Sequence, residues 1–210
     1  RDPSCASVLR VTPKMGSDVH LTLSAQLHGW WDPLEYAAKC FTVGVLYNYG
    51  PTAIELTGGL GRAVMLKMKE LGYWNLLADD VDPSAIEAGE PDKLGIDTTT
   101  RTKPSMVGAL QSLIKRRFIT IWDKETILEL RAYEQVRTES GLTTQFRGAS
   151  GSHDDRVMSL AIGAWTTLTF PITAILSGIH KHNQSSAEDK DSDGWGPVKP
   201  YKAEQRRPFQ

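Results

Sequence analysis

The sequence predicts an α/β domain, because strand-type alternation and helix-type periodicity interleave along a chain of 210 residues that is 40% apolar. That length and apolar content suit one core, with or without an appended tail. The clearest strand is residues 19–29, where Leu21, Leu23, Ala25 and Leu27 alternate with polar partners. The clearest helix follows Asp32 and Pro33, a side-chain cap and a first-turn proline, with Leu34, Ala37, Ala38, Phe41, Val45 and Leu46 at helical spacing.

The other elements follow in order. Residues 6–12 are rich in β-branched side chains and end at Pro13, so they pair with 19–29 as an antiparallel hairpin. Asn48 to Pro51 stops the first helix, and residues 52–56 are a short buried strand carrying Glu55. Gly58, Gly59 and Gly61 lead into a helix over about 60–71, ended by Gly72. Residues 74–78 are a further strand, and 79–97 an acidic, Pro- and Gly-containing surface loop. Thr102 caps the next helix, with Pro104 in its first turn and Lys115, Arg116 and Arg117 at its end, where cations suit the helix dipole. Residues 118–122 are a strand, 124–130 a helix, and 132–138 with 143–146 a late hairpin. A loop over 148–152 then leads into His153-Asp154-Asp155-Arg156 and a final helix. The uncharged run 157–179 is long enough to cross a membrane. Its many Ser and Thr residues and Pro171 favour a core helix followed by a turn, so no membrane is expected. The domain is expected to span 1–180. Residues 181–210, where Ser, Asp, Lys, Gly and Pro dominate, are expected to be a flexible tail.

Charge and cysteine content exclude several classes. With 24 Lys+Arg against 25 Asp+Glu, the chain has no global attraction to nucleic acid, so any DNA contact must come from local patches. Two cysteines, Cys5 and Cys40, make neither a disulfide framework nor a zinc site. The first residue is Arg1, with no signal segment after it, so the chain is expected to start inside a larger protein.

Four carboxylates stand out by position. Asp2 precedes the first strand, Glu55 lies within an apolar strand, and Asp154 and Asp155 open an apolar helix. A carboxylate on a buried strand is costly unless it is paired or binds a cation. Glu55 equally suits an exposed sheet edge, and an Asp pair in a first helical turn equally suits a cap.

Three ordered segments weigh between these readings. Gly148-Ala-Ser-Gly-Ser-His-Asp-Asp-Arg-Val-Met-Ser-Leu-Ala-Ile-Gly-Ala-Trp resembles the closing motif of the nuclease domain of tailed-bacteriophage large terminases. Ala53-Ile-Glu-Leu-Thr-Gly-Gly-Leu-Gly resembles that family's strand-borne acidic residue and glycine turn, and Gly95-Ile-Asp-Thr-Thr-Thr-Arg-Thr-Lys-Pro-Ser-Met its Thr-Lys-Pro segment. The resemblance covers roughly residues 1–165.

The resemblance implies an RNase H-like mixed sheet flanked by helices on both faces. It also implies a nuclease that cuts concatemeric double-stranded viral DNA during genome packaging. Asp2, Glu55, Asp154 and Asp155 would hold two Mg²⁺ or Mn²⁺ ions, whose hard character suits oxygen ligands. Successive helical residues point about 100° apart, so one of Asp154 and Asp155 is the direct ligand. Arg62, Lys103, Lys115, Arg116, Arg117 and His153 are candidate DNA contacts, although the 115–117 cluster equally suits a solvated helix end and His153 a structural hydrogen bond. Asp2 resembles the second aspartate of the family's opening motif, so either the first aspartate and its strand lie upstream of residue 1, as is expected here, or this chain lacks that ligand. An N-terminal packaging ATPase, the portal and the small terminase are the implied partners, in the host-cell cytoplasm during phage assembly. A junction resolvase or RNase H-type hydrolase, and a non-catalytic DNA or portal docking module, stay open beside this reading.

Overall fold

Packing around the extended segment 52–56 sets the architecture. In the computed structural model, Ile54 and Leu56 pack into one core and Ala53 against another, so helices cover both faces of this segment. The structure describes residues 3–14, 18–57, 59–77, 94–137, 144–149 and 153–169. All of these belong to a single unit, Arg1–Ile172, and the expected tail over 181–210 lies outside the described residues.

β1 (Ser4–Pro13) and β2 (Val19–Gly29) form the expected antiparallel hairpin, with a register shift between Val8 and Leu9. β1 includes the proline expected to end it. α1 (Pro33–Leu46) starts as the sequence predicts: the Asp32 carboxylate accepts from Leu34 N at 2.9 Å and Glu35 N at 3.0 Å. α2 (Leu60–Glu70) follows, then α3 (Lys103–Lys115), β3 (Ile119–Thr120), α4 (Lys124–Ala132), the hairpin β4 (Tyr133–Arg137) and β5 (Thr144–Gly148), and α5 (Asp155–Thr169). β3 runs parallel to β2, so the sheet is mixed. No helix among the described residues is long and apolar enough to cross a membrane.

The first core joins Leu21 and Leu23 of β2 with Ile96, Met106 and Leu110 of the α3 region and Val157, Leu160 and Ala161 of α5. The second joins Ala37 of α1 to Val64, Met65 and Met68 of α2, around Tyr73. α5 lies directly on β1: Ser159 Oγ is 2.9 Å from Ser7 Oγ, and a Cβ on Gly163 would meet the Leu9 side chain at 2.6 Å.

Several expectations are corrected. Residues 52–56 and 74–77 are not full strands but extended segments joined by a parallel bridge, Thr52 to Leu76, and 52–56 meets Ile96 through Glu55. The end of the expected surface loop turns inward, with Leu94 and Ile96 buried. Strand 118–122 shrinks to two residues. Thr102 stands at the head of α3, but its hydroxyl makes no cap bond within the helix and turns back to the preceding turn. Residues 78–93, 138–143 and 150–152, which carry much of the expected loops, lie outside the described residues.

Candidate functional site

Strand alternation fixes the direction of Glu55. Ala53 packs on the first core and Ile54 and Leu56 on the second, so Glu55 turns toward the first-core side, where α3 and α5 lie. Its lateral partner across the bridge, Ile96, is fully buried in that core. From α2, a Cβ on Gly61 would lie 1.6 Å from the Glu55 carbonyl oxygen. Helix and segment approach this closely because residue 61 has no side chain. With Gly59 at φ 81° heading α2, these two glycines make a tight segment-to-helix turn. Gly58 lies outside the described residues.

A run of contacts links this segment to α5. Thr57 Oγ1 donates to Thr98 O and accepts from Thr98 N, each at 3.0 Å. The next turn is tied by Thr102, whose hydroxyl donates to Asp97 O at 2.7 Å and accepts from Thr99 N at 2.8 Å. Lys103 then opens α3, and its Nζ lies 3.5 Å from Asp154 Oδ2.

Asp154 and Asp155 diverge, as successive residues entering a helix do. Asp154 faces Lys103 and acts on Tyr133, whose hydroxyl burial already pushes well above its usual range. Asp155 faces the start of β1, where its charge acts on Cys5, and it also acts on Tyr36 and Glu129. His153, half exposed, places Nδ1 3.8 Å from Asp155 Oδ2. Among the described residues no three His, Cys, Asp or Glu side chains group closely enough to hold a metal ion. Asp2, the remaining candidate ligand, lies outside the described residues.

The sequence reading missed the group that holds the start of α5. Glu129 of α4 accepts from Arg156 N at 3.0 Å, and its other oxygen lies 3.2 Å from Arg156 Nε. Arg156 also bonds Gln26 of β2 and sits 3.6 Å from Asp123, the cap of α4. One guanidinium therefore ties the Asp154–Asp155 end of α5 to both ends of α4 and to the sheet.

Burial raises the Glu129 carboxyl above its ordinary value; the Arg156 backbone bond and charge oppose the shift and Asp155 adds to it. Asp123 is held low, first by the Thr126 hydroxyl and further by the Thr126 N–H and Arg156. His28, whose Nε2 is buried without a hydrogen-bond partner, is held below its ordinary value, first by burial and further by Arg156 and His153.

The candidate DNA contacts divide between two ends of the molecule. Lys103 and His153 lie beside Asp154 and Asp155, and Arg62 is exposed in the first turn of α2. Lys115, Arg116 and Arg117 stand at the far end of α3, about 18 Å from Lys103 at the helical rise per residue. There Arg116 donates to Asp18 at 2.6 Å and covers the Phe118 ring.

A solved structure shares this fold. Over 75% of this chain and 80% of the other, the large terminase nuclease from thermophilic phage G20c superimposes with a TM-score of 0.50 at 16% identity. The fold is that of a large terminase nuclease. The large terminase nuclease domain of Thermus phage P74-26 (TM-score 0.47, 16% identity, 76% of this chain and 77% of that one) is also similar. So is the G20c nuclease with bound magnesium (TM-score 0.49, 15% identity, 76% and 80%). No protein-family model matches the sequence. The likeness to the terminase nuclease is one of fold, and the RNase H-like mixed α/β domain expected from the sequence is the fold found.

Proposed function

We propose that this chain is a divalent-metal-dependent DNA endonuclease that cuts concatemeric double-stranded viral DNA during genome packaging, in the host-cell cytoplasm. The observation that carries the reading is the direction of Glu55, aimed at the core side whose covering helix α5 presents Asp154 and Asp155 at its start. The fold shared with a phage nuclease supports it.

The donor set fits a hard cation, since carboxylate oxygens are the ligands Mg²⁺ and Mn²⁺ prefer. Glu55 and Asp155 would hold it, with Asp154 close by and Asp2 leading into the strand that Asp155 faces. A pair of such ions supplies a water deprotonated near neutral pH and charge compensation at the attacking and leaving oxygens. The chain's own part is positional. Glu129 and Arg156 fix the start of α5, and Lys103 offsets the charge of Asp154 and stands ready for a phosphate oxygen. The packaging ATPase, portal and small terminase are the partners this role requires.

Plasmid cleavage with Mn²⁺, Mg²⁺ or EDTA tests the reading. Cutting is expected with metal, and its loss in Glu55→Ala and in Asp155→Ala. Full activity in both variants overturns the assignment.

A further inference from the structure

The cleft where β3 leaves β2 is a recess beside the candidate site. β2 and β3 pair at Leu21 with Ile119 and at Thr22 with Thr120. Beyond that point the chain turns away through Trp122 and Asp123 into α4, leaving a cavity of about 320 Å³ against residues 23–26. Leu23 and Ala25 contribute apolar surface, Gln26, Asp123 and Arg156 polar groups, and Trp122 an indole that is 79% exposed. Burial does not account for Trp122: a large aromatic left in solvent beside a polar recess has its π-face free.

We propose that this cleft is a nucleobase subsite, which takes one unpaired base of a DNA strand against the Trp122 indole. The size is at the small end for ligand pockets, right for one flat heterocycle. Base stacking on an aromatic face is the usual means of holding an unpaired strand without sequence choice. The polar edge is engaged within the protein, Asp123 by Thr126 and Arg156, and Arg156 by Glu129 and Gln26, so stacking on Trp122 carries the binding. Arg156 directly follows Asp155, about 3.8 Å away along the backbone. A base in the cleft thus belongs to a nucleotide whose phosphate lies near the start of α5. The proposal rests on the nuclease reading for the identity of its ligand, and its test is independent of cutting.

The test measures binding of a short fluorescently labelled oligodeoxycytidylate to the full chain in EDTA, by anisotropy. Trp122→Ala is expected to weaken binding by about 10-fold, and Trp122→Phe to stay within about 3-fold of the parent. Asp155→Ala, which abolishes cutting if the nuclease reading holds, removes a carboxylate of the phosphate's own sign and is expected to bind the oligonucleotide in EDTA at least as tightly as the parent does. Thermal unfolding of each variant confirms that the fold is intact. Binding by Trp122→Ala within about 2-fold of the parent overturns the subsite, as does Trp122→Leu binding as tightly as Trp122→Phe, which assigns the cleft to apolar protein docking.

Discussion

Removing the Glu129 carboxylate tests whether a single side chain of α4 holds the start of α5. Its side chain is 13% exposed and that of Arg156 16%, so their contact is largely withdrawn from water. Breaking one partner of such a pair typically costs about 3–5 kcal/mol, and losing a helix cap about 0.5–2 kcal/mol. These overlap in one group, and Arg156 keeps Gln26 and Asp123, so the lower figure applies. Glu129→Ala is expected to cost about 3 kcal/mol, or roughly 6–12 °C in Tm for a domain of this size. Glu129→Gln keeps an acceptor for the Arg156 N–H and is expected to cost about 1–2 kcal/mol. The pH dependence carries a sign. The folded-state pKa is raised above the ordinary 4.5, so between those values the folded chain holds the proton that the unfolded chain has released. Stability from this group is therefore complete below the ordinary value and declines as pH rises through the folded value. The advantage of the parent over Glu129→Gln should shrink across that window. Urea unfolding followed by circular dichroism reads all three. A cost below about 1 kcal/mol for Glu129→Ala, or equal costs for Ala and Gln, refutes the capping role.

Two further outcomes follow from the backbone and the thiols. Arg117 ends α3 at φ 58°, a left-handed position that suits glycine, so Arg117→Gly is expected to stabilise by about 1 kcal/mol in the same unfolding experiment. Burial pushes the Cys5 thiol up to about 12 and the Cys40 thiol up to about 11, so at pH 8 a disulfide reagent should label both at least about 100-fold more slowly in the folded chain than in urea.

What the sequence makes legible is what local pattern decides. β2 reads correctly because burial of Val19, Leu21 and Leu23 imposes a period of two. The start of α1 reads correctly because Asp32 and its two backbone partners lie within three residues. The segments 52–56 and 74–77 read too strongly as strands, since their ladder is cut to single bridges by a partner that returns only at Ile96. Glu129 is illegible for the same reason. Within α4 it looks like any helical glutamate, and its partner Arg156 lies 27 residues on. The sequence did hold one faint signal: an arginine directly behind two aspartates, entering an apolar helix, needs a counter-charge from elsewhere.

The charge layout adds a constraint on how DNA is approached. Asp123, Glu129, Asp154 and Asp155 gather with Arg156 and Lys103 about the start of α5, while Lys115, Arg116 and Arg117 sit at the other end of α3. A phosphodiester brought to the start of α5 meets carboxylates of its own sign, which repel it at contact distance. Cations held by those carboxylates reverse the local sign. On the nuclease reading, metal and DNA therefore bind with positive linkage at this end, whereas the basic end of α3 attracts backbone phosphate with or without metal. The two contributions separate by their response to salt: the exposed basic end weakens steeply as ionic strength rises, and the partly buried carboxylate end much less so.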